Sequence, residues 1–230
     1  MCGSFVAFSF LTLFGDVADE LAHEGMLLSA ANVVRLIEGT LEHCSRVFPS
    51  YSLVFTGHSL GAGVAALSAM LMRDRFPTVR SVGFGTPCVL SLRAAESLSD
   101  IVTTVVVGHD IVSRLGLGTM QDLCFASNYI ATTSADPAAF FGADGAPNEV
   151  ACVKLMSTLR GGMTASKLYP PGRVLWVDCH NDAPPIEGAR DDSLLQINAE
   201  TFTELIISSH MISDHLPSRY IHYMSSLTVE

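Results

Sequence analysis

Residues 51–73 read Tyr51-Ser-Leu-Val-Phe-Thr56, then Gly57-His58-Ser59-Leu60-Gly61-Ala62-Gly63, then Val64 to Arg73, a run of Ala, Leu and Met. The first piece is a β-rich apolar run of strand length, and the last has strong helix propensity. A strand, a tight turn and a helix in direct succession form the local unit of an α/β sheet. The turn satisfies G-x-S-x-G, in which a serine sits on a strained corner with its hydroxyl exposed at the carboxyl edge of the sheet. Glycines two residues to either side are expected to let backbones pass where a Cβ would clash. The helix N-terminus beneath the serine offers peptide N–H groups and positive dipole to a developing oxyanion, with the Leu60 N–H as one donor.

Working outward, Leu27 to Val47 carries apolar residues at helical spacing (Leu28, Ala31, Val34, Leu36, Ile37, Leu41), and Pro49 stops the pattern. Downstream, Val79 to Gly85 reads as a strand and Leu90 to Leu98 as a short helix. Ile101 to Val107 is a strand made almost wholly of β-branched residues, and Arg173 to Val177 is another. Continuous apolar strands alternating with helices predict a mostly parallel sheet covered on both faces, so the fold class is α/β. Between Gly116 and Pro171 the pattern dissolves into Gly, Ala, Pro, Asp, Ser and Thr with short apolar pieces. The expectation is a single domain over residues 1–230 with an irregular loop or lid insertion at about 117–168. The tail carries a helical pattern from Asn198 to about Ile207 and a final short helix around Tyr220 to Ser226.

The 230 residues include 13 Lys+Arg against 23 Asp+Glu, a net charge of −10. Without clustered basic residues the chain lacks the electrostatic footprint for phosphate backbones, which excludes nucleic acid as a partner. With 49% hydrophobic and 16% charged residues it is not a disordered chain. The mean hydropathy of +0.38 points to an apolar surface or site. Its most apolar stretch, Met1 to Phe14, is too short for a membrane-spanning helix and lacks the basic start of a signal peptide, so it reads as a buried strand. The six cysteines are scattered without a CxxC pair, which signals neither a zinc site nor a disulfide framework.

A serine alcohol needs a base, and the base needs an orienting carboxylate. In the α/β-hydrolase arrangement the order along the chain is Ser, acid, His. Asp110 follows the Ile101 to Val107 strand through Gly108-His109 and suits the acid. Asp100 lies at the wrong end of that strand, and Asp178, after the Arg173 to Val177 strand, is the main alternative. Of the eight histidines, His180, His210, His215 and His222 come after Asp110. His215, in a loop-like segment between Asp214 and Pro217, fits a base on a short loop, and His210 competes with it.

Several separated motifs resemble the sn-1-specific diacylglycerol lipases of the class 3 lipase group, over most of the chain. Gly57 to Gly63 with Ala65-Ala66-Leu67 is similar to the family elbow, and Val105 to Leu115 to its acid-bearing segment. Leu168-Tyr-Pro-Pro-Gly-Arg173 resembles its strand-entry motif, and Met211-Ile-Ser-Asp-His215-Leu-Pro217 the segment that carries its histidine. His23-Glu-Gly-Met26 resembles the start of a family helix. The resemblance implies an α/β-hydrolase fold with Ser59 as nucleophile, Asp110 as orienting acid and His215, rather than His210, as base. It also implies that Thr119 to Lys167 occupies the place of a regulatory loop. The second oxyanion element of the family would fall near Ser9 to Thr12, with Leu11 and Thr12 as donors, although the glycine of that element is absent here. Family members carry transmembrane spans ahead of the catalytic domain, and this chain has none.

The activity so implied is hydrolysis of the sn-1 ester of diacylglycerol to a 2-monoacylglycerol and a fatty acid through an acyl-enzyme. The same machinery would serve another lipid esterase, such as a triacylglycerol lipase or phospholipase A1. A catalytically weak hydrolase-fold binding protein is the reading from a different class. No cofactor is expected, and any calcium effect would act through the irregular region. The expected partners are a lipid ester and a membrane surface, with an intracellular, peripheral location.

Overall fold

The computed structural model describes residues 5–7, 20–132, 137–141, 145–180 and 194–226. Strands β1 (Phe5–Ala7) and β2 (Leu21–His23) form a two-stranded antiparallel sheet. Helix α1 (Glu24–Val47) follows, its start set by His23, whose ring nitrogen accepts from the Met26 N–H at 3.4 Å. Next come β3 (Val54–His58), α2 (Leu60–Met72), β4 (Arg80–Phe84), α3 (Leu92–Glu96) and β5 (Val102–Val107). After α4 (Leu117–Thr132) and α5 (Glu149–Gly162) the chain closes with β6 (Arg173–Val177), β7 (Leu194–Ile197) and α6 (Pro217–Ser226).

The main sheet has the order β3-β4-β5-β6-β7. β3 to β6 run parallel, and β7 is antiparallel to β6. β5 lies at its centre, and the alternation of its valines divides the core. Val105 and Val107 pack with Val177, Tyr220 and Tyr223 of α6. On the other face Val102 joins the Leu67, Met70 and Leu98 cluster, and Val106 packs with Val174 and Phe202. Each fully buried side chain of this size contributes roughly 1.5–3 kcal/mol. The sheet thus carries a hydrophobic cluster on both faces, as the apolar strands predicted, and no helix among the described residues is long and apolar enough to cross a membrane.

Two sequence expectations are corrected, and one strand was not predicted. Of Met1 to Phe14, read as a buried strand, Phe5–Ala7 is described and forms a strand that pairs with β2, and the other residues lie outside the described ones. The irregular region holds two helices. In α5, Asn148 caps by accepting from the Ala151 N–H, with Glu149 in the first turn and Arg160 in the last. In α4, Gly118, Thr119 and Asn128 interrupt the apolar spacing and hide the periodicity. The helix expected over Asn198 to Ile207 is a single 3₁₀ turn at Ala199–Phe202. Its continuation is rich in β-branched residues, and Arg114 holds the turn to the core, donating to the Thr201 carbonyl at 2.7 Å and lying 4.5 Å over the Phe202 ring. The edge strand β7 had no strong alternation to reveal it, being half exposed.

The chain divides into two compact units, Met1–Leu115 with Leu168–Glu230, and Gly116–Lys167. The smaller unit packs α4 against α5, with Phe125 so close to Gly162 that a Cβ there would overlap its ring. Lys167 Nζ pairs with the buried Asp122 carboxylate at 2.6 Å within it.

Candidate active site

Ser59 stands between β3 and α2 with φ 58° and ψ −132°, the single non-glycine with positive φ among the described residues. A β-carbon in that region is strained, and such strain persists only where the surroundings over-determine it. The Ser59 N–H extends the sheet ladder to the Phe84 carbonyl at 2.9 Å, while its own carbonyl accepts from the Ala62 N–H at 2.9 Å to start α2. Gly57 makes the corner possible: a Cβ there would lie 2.5 Å from the Gly61 carbonyl carbon. The expectation of two permissive glycines holds at Gly57 alone, because a Cβ at Gly61 would meet open space.

Asp110 and His215 reach Ser59 from 51 and 156 residues away in sequence. Asp110 ends the turn after β5 and is fully buried. His215 lies on the turn before α6, its Nε2 2.8 Å from Ser59 Oγ and its Nδ1 3.0 and 2.9 Å from the two Asp110 oxygens. A carboxylate bound at Nδ1 sets the imidazole tautomer that leaves Nε2 free to accept the serine proton. The carboxylate is held in turn by the Val112 N–H at 2.8 Å and the Tyr220 hydroxyl at 2.5 Å. Burial, then the Asp110 charge and hydrogen bond, hold the Tyr220 phenol well above its ordinary pKa, so it remains a donor. Leu60 opens α2 directly after Ser59, where the first peptide N–H groups of a helix have no intrahelical acceptor. Leu11 and Thr12 lie outside the described residues.

The other candidates sit elsewhere. Asp178 follows β6, is largely buried, and shares no hydrogen bond with a histidine among the described residues. His210 stacks on His180 with ring centroids 4.4 Å apart, and His222 lies edge-on to Tyr223 at 5.0 Å. His180 Nε2 bonds Asp214 Oδ2 at 2.6 Å.

Three supporting residues escaped the sequence reading. Tyr220 is presented to Asp110 by α6, and the signal for it was Pro217 at the first helical position, which sets the phase of that helix. The His58 Nε2–H donates to the His215 carbonyl at 2.8 Å, and its ring lies 4.7 Å from that of His215. The order test removes His58 as a base and is blind to this bracing role. Asp214 Oδ2 accepts the His109 N–H at 2.9 Å, tying the turn of His215 to the turn of Asp110. Beside the site, His58, Phe84, Pro217, Tyr220, Ile221 and Met224 line a cavity of about 240 Å³.

A serine, a histidine and a buried aspartate in this geometry can perform nucleophilic acyl transfer. The model of the family "Lipase (class 3)" matches residues 6–119. Human diacylglycerol lipase-alpha is 31% identical over 226 residues, covering 86% of this chain and 22% of the relative. Mouse diacylglycerol lipase-beta is 38% identical over 111 residues, covering 47% of this chain and 17% of the relative. The chain thus spans about a fifth of the length of these curated relatives. Among solved structures, a lipase from Rhizopus microsporus var. chinensis matches with a TM-score of 0.52 and 20% identity, over 94% of this chain and 58% of that one. The Rhizopus structure shows the shared α/β-hydrolase-like fold, and the family model and the curated relatives agree on the family: the chain belongs to the class 3 lipases, a family of serine ester hydrolases.

Proposed function

We propose that the chain hydrolyses the sn-1 ester of diacylglycerol by acyl transfer through Ser59. The observation that carries the reading is the unbroken line of hydrogen bonds from Ser59 Oγ through His215 to Asp110. His215 Nε2 takes the Ser59 proton as Oγ attacks the ester carbonyl, and the Leu60 N–H stabilises the oxyanion. The His215 Nε2–H then protonates the departing glyceryl oxygen, releasing 2-monoacylglycerol and leaving an acyl-serine. Water, deprotonated by His215, cleaves the acyl-serine to the fatty acid and restores Ser59. Proton and acyl group move only among Ser59, His215, water and ester, so the chemistry needs no metal.

Diacylglycerol as substrate is supported by the names of the curated relatives and by the apolar cavity beside His58. Leu60, Ile212, Leu216 and Ile221 are exposed on segments flanking Ser59 and His215. Such a rim suits a lipid surface approached by apolar contact, since the net charge of −10 gives no attraction to anionic headgroups. Hydrolysis of diacylglycerol, monoacylglycerol, triacylglycerol and phosphatidylcholine by the purified chain tests the reading, with fluorophosphonate labelling as the check on Ser59. The expected result is preferred release of the sn-1 acyl chain from diacylglycerol and labelling lost in Ser59→Ala. Folded protein that resists the probe would overturn the acyl-enzyme, and faster turnover of another lipid would overturn the substrate.

A further inference from the structure

Cys179 and His180 follow β6, and Asp214 lies on the turn before His215, so nothing in their sequence spacing marks a metal site. In the fold, Cys179 Sγ, His180 Nε2 and a carboxylate oxygen of Asp214 all lie within 4.8 Å of one another. Gly108, with φ 47°, backs this cluster: a Cβ there would meet Asp214 Oδ2 at 2.5 Å and both Cys179 Sγ and His180 Nε2 at 2.8 Å. Three donor atoms of different chemistry therefore face one small space that residue 108, being glycine, leaves open. Asp214 is fully buried, and its Oδ1 makes no hydrogen bond. Arg219 Nη2 forms an ion pair with that oxygen at 3.7 Å, too long for a hydrogen bond. The oxygen beside Cys179 and His180 is Oδ2, which His180 Nε2 and the His109 N–H both reach, so that donor is fixed in position.

We propose that Cys179, His180 and Asp214 form a binding site for a thiophilic divalent cation, with zinc(II) the ion that fits the donor set. One sulfur, one imidazole nitrogen and one carboxylate oxygen match the ligands of zinc, whereas calcium and magnesium take oxygen sets. With ligands ~2.0–2.3 Å from the ion, two tetrahedral positions stand roughly 3.3–3.7 Å apart. The His180–Asp214 pair, now at 2.6 Å, opens by about 1 Å as the ion replaces the proton they share. His180 then carries its proton on Nδ1 and ligates through Nε2, the Cys179 thiol releases its proton to solvent, and water fills the fourth position. Because Asp214 precedes His215 and holds the His109 N–H, the ion ties the strand end after β6 to the turn that carries His215.

The test is titration of the intact chain with Co²⁺ as the spectroscopic substitute. One equivalent is expected to produce a thiolate-to-cobalt charge-transfer band that Zn²⁺ bleaches, and Zn²⁺ is expected to raise Tm. Cys179→Ser removes the band, and His180→Ala weakens cobalt binding by at least about tenfold. A second measurement needs no variant: Zn²⁺ slows alkylation of Cys179 at least about tenfold, while the exposed Cys44 and Cys124 react as before. A band that survives in Cys179→Ser, or Cys179 alkylation in folded protein that is indifferent to Zn²⁺, overturns the site.

Discussion

The Tyr220 hydroxyl donates a 2.5 Å hydrogen bond to Asp110 Oδ2, the oxygen that also stands 2.9 Å from His215 Nδ1. The Asp110 carboxylate is therefore positioned from two sides, by the His215 ring and by a phenol on the helix that follows His215. Losing one hydrogen bond to a charged, buried group costs about 1.5–3 kcal/mol. Tyr220→Phe should lower Tm and reduce kcat/KM roughly tenfold, mostly in kcat, because the variant keeps the ring that lines the cavity and loses only the hydroxyl bonded to Asp110. Unchanged kcat with lowered Tm would make Tyr220 a stabilising residue only.

The same residue sets an alkaline limit on stability. The folded-state pKa of Tyr220 is raised above its ordinary value of 10, by burial first and then by the Asp110 charge. A group whose folded pKa is raised contributes stability that is complete below its unfolded pKa and lost as pH rises above it. Wild-type Tm should hold steady with respect to this residue up to about pH 10 and then fall, a component that Tyr220→Phe lacks. Tm measured against pH for both proteins checks it; parallel alkaline curves would refute the linkage.

Asp110→Asn keeps the shape but leaves His215 without the carboxylate that selects its tautomer. A drop in kcat of about 10⁴ is expected, with substrate binding little altered. Asp178→Asn should stay close to wild type. The reverse ranking, read from steady-state hydrolysis, would return the acid role to Asp178.

At the serine corner the two glycines should behave oppositely. Gly57→Ala drives a Cβ to 2.5 Å from the Gly61 backbone, which cannot retreat as a flexible side chain would, and a loss of about 1–3 kcal/mol is expected. Gly61→Ala meets nothing within 4 Å and adds a helix former in the first turn of α2, for a change within about 1 kcal/mol. Thermal denaturation of the two variants measures the contrast.

Cys88 is fully buried, and burial pushes its thiol up to about 12 even though the nearby Arg114 charge opposes the shift. Native protein at neutral pH should leave Cys88 unmodified by iodoacetamide while the exposed Cys44 and Cys124 react, as peptide mass spectrometry would record. Labelling of Cys88 at the rate of Cys44 would show that this core opens readily.

Legibility followed the range of the physics. The β3–Ser59–α2 unit was readable because its strand run, its glycines and its Ala-rich helix are contiguous, and β5 because β-branched residues fill it end to end. Asp110 was readable because it directly follows that strand. α4, with its interrupted spacing, and the half-exposed β7 gave only weak local patterns. The choice between His215 and His210 stayed open in the residues themselves, since both lie in one short segment and only the family resemblance separated them.

By itself, then, the chain's sequence determined an α/β architecture and the serine corner, because propensity and periodicity act between neighbours. The tertiary structure brought His215 rather than His210 to Ser59 and set Tyr220 and His58 against the site. It also decided that Cys179, His180 and Asp214 converge above Gly108. Those meetings join segments tens to more than a hundred residues apart. They depend on the register of β4, β5 and β6 and on the turns that leave their carboxyl ends, which no local pattern encodes.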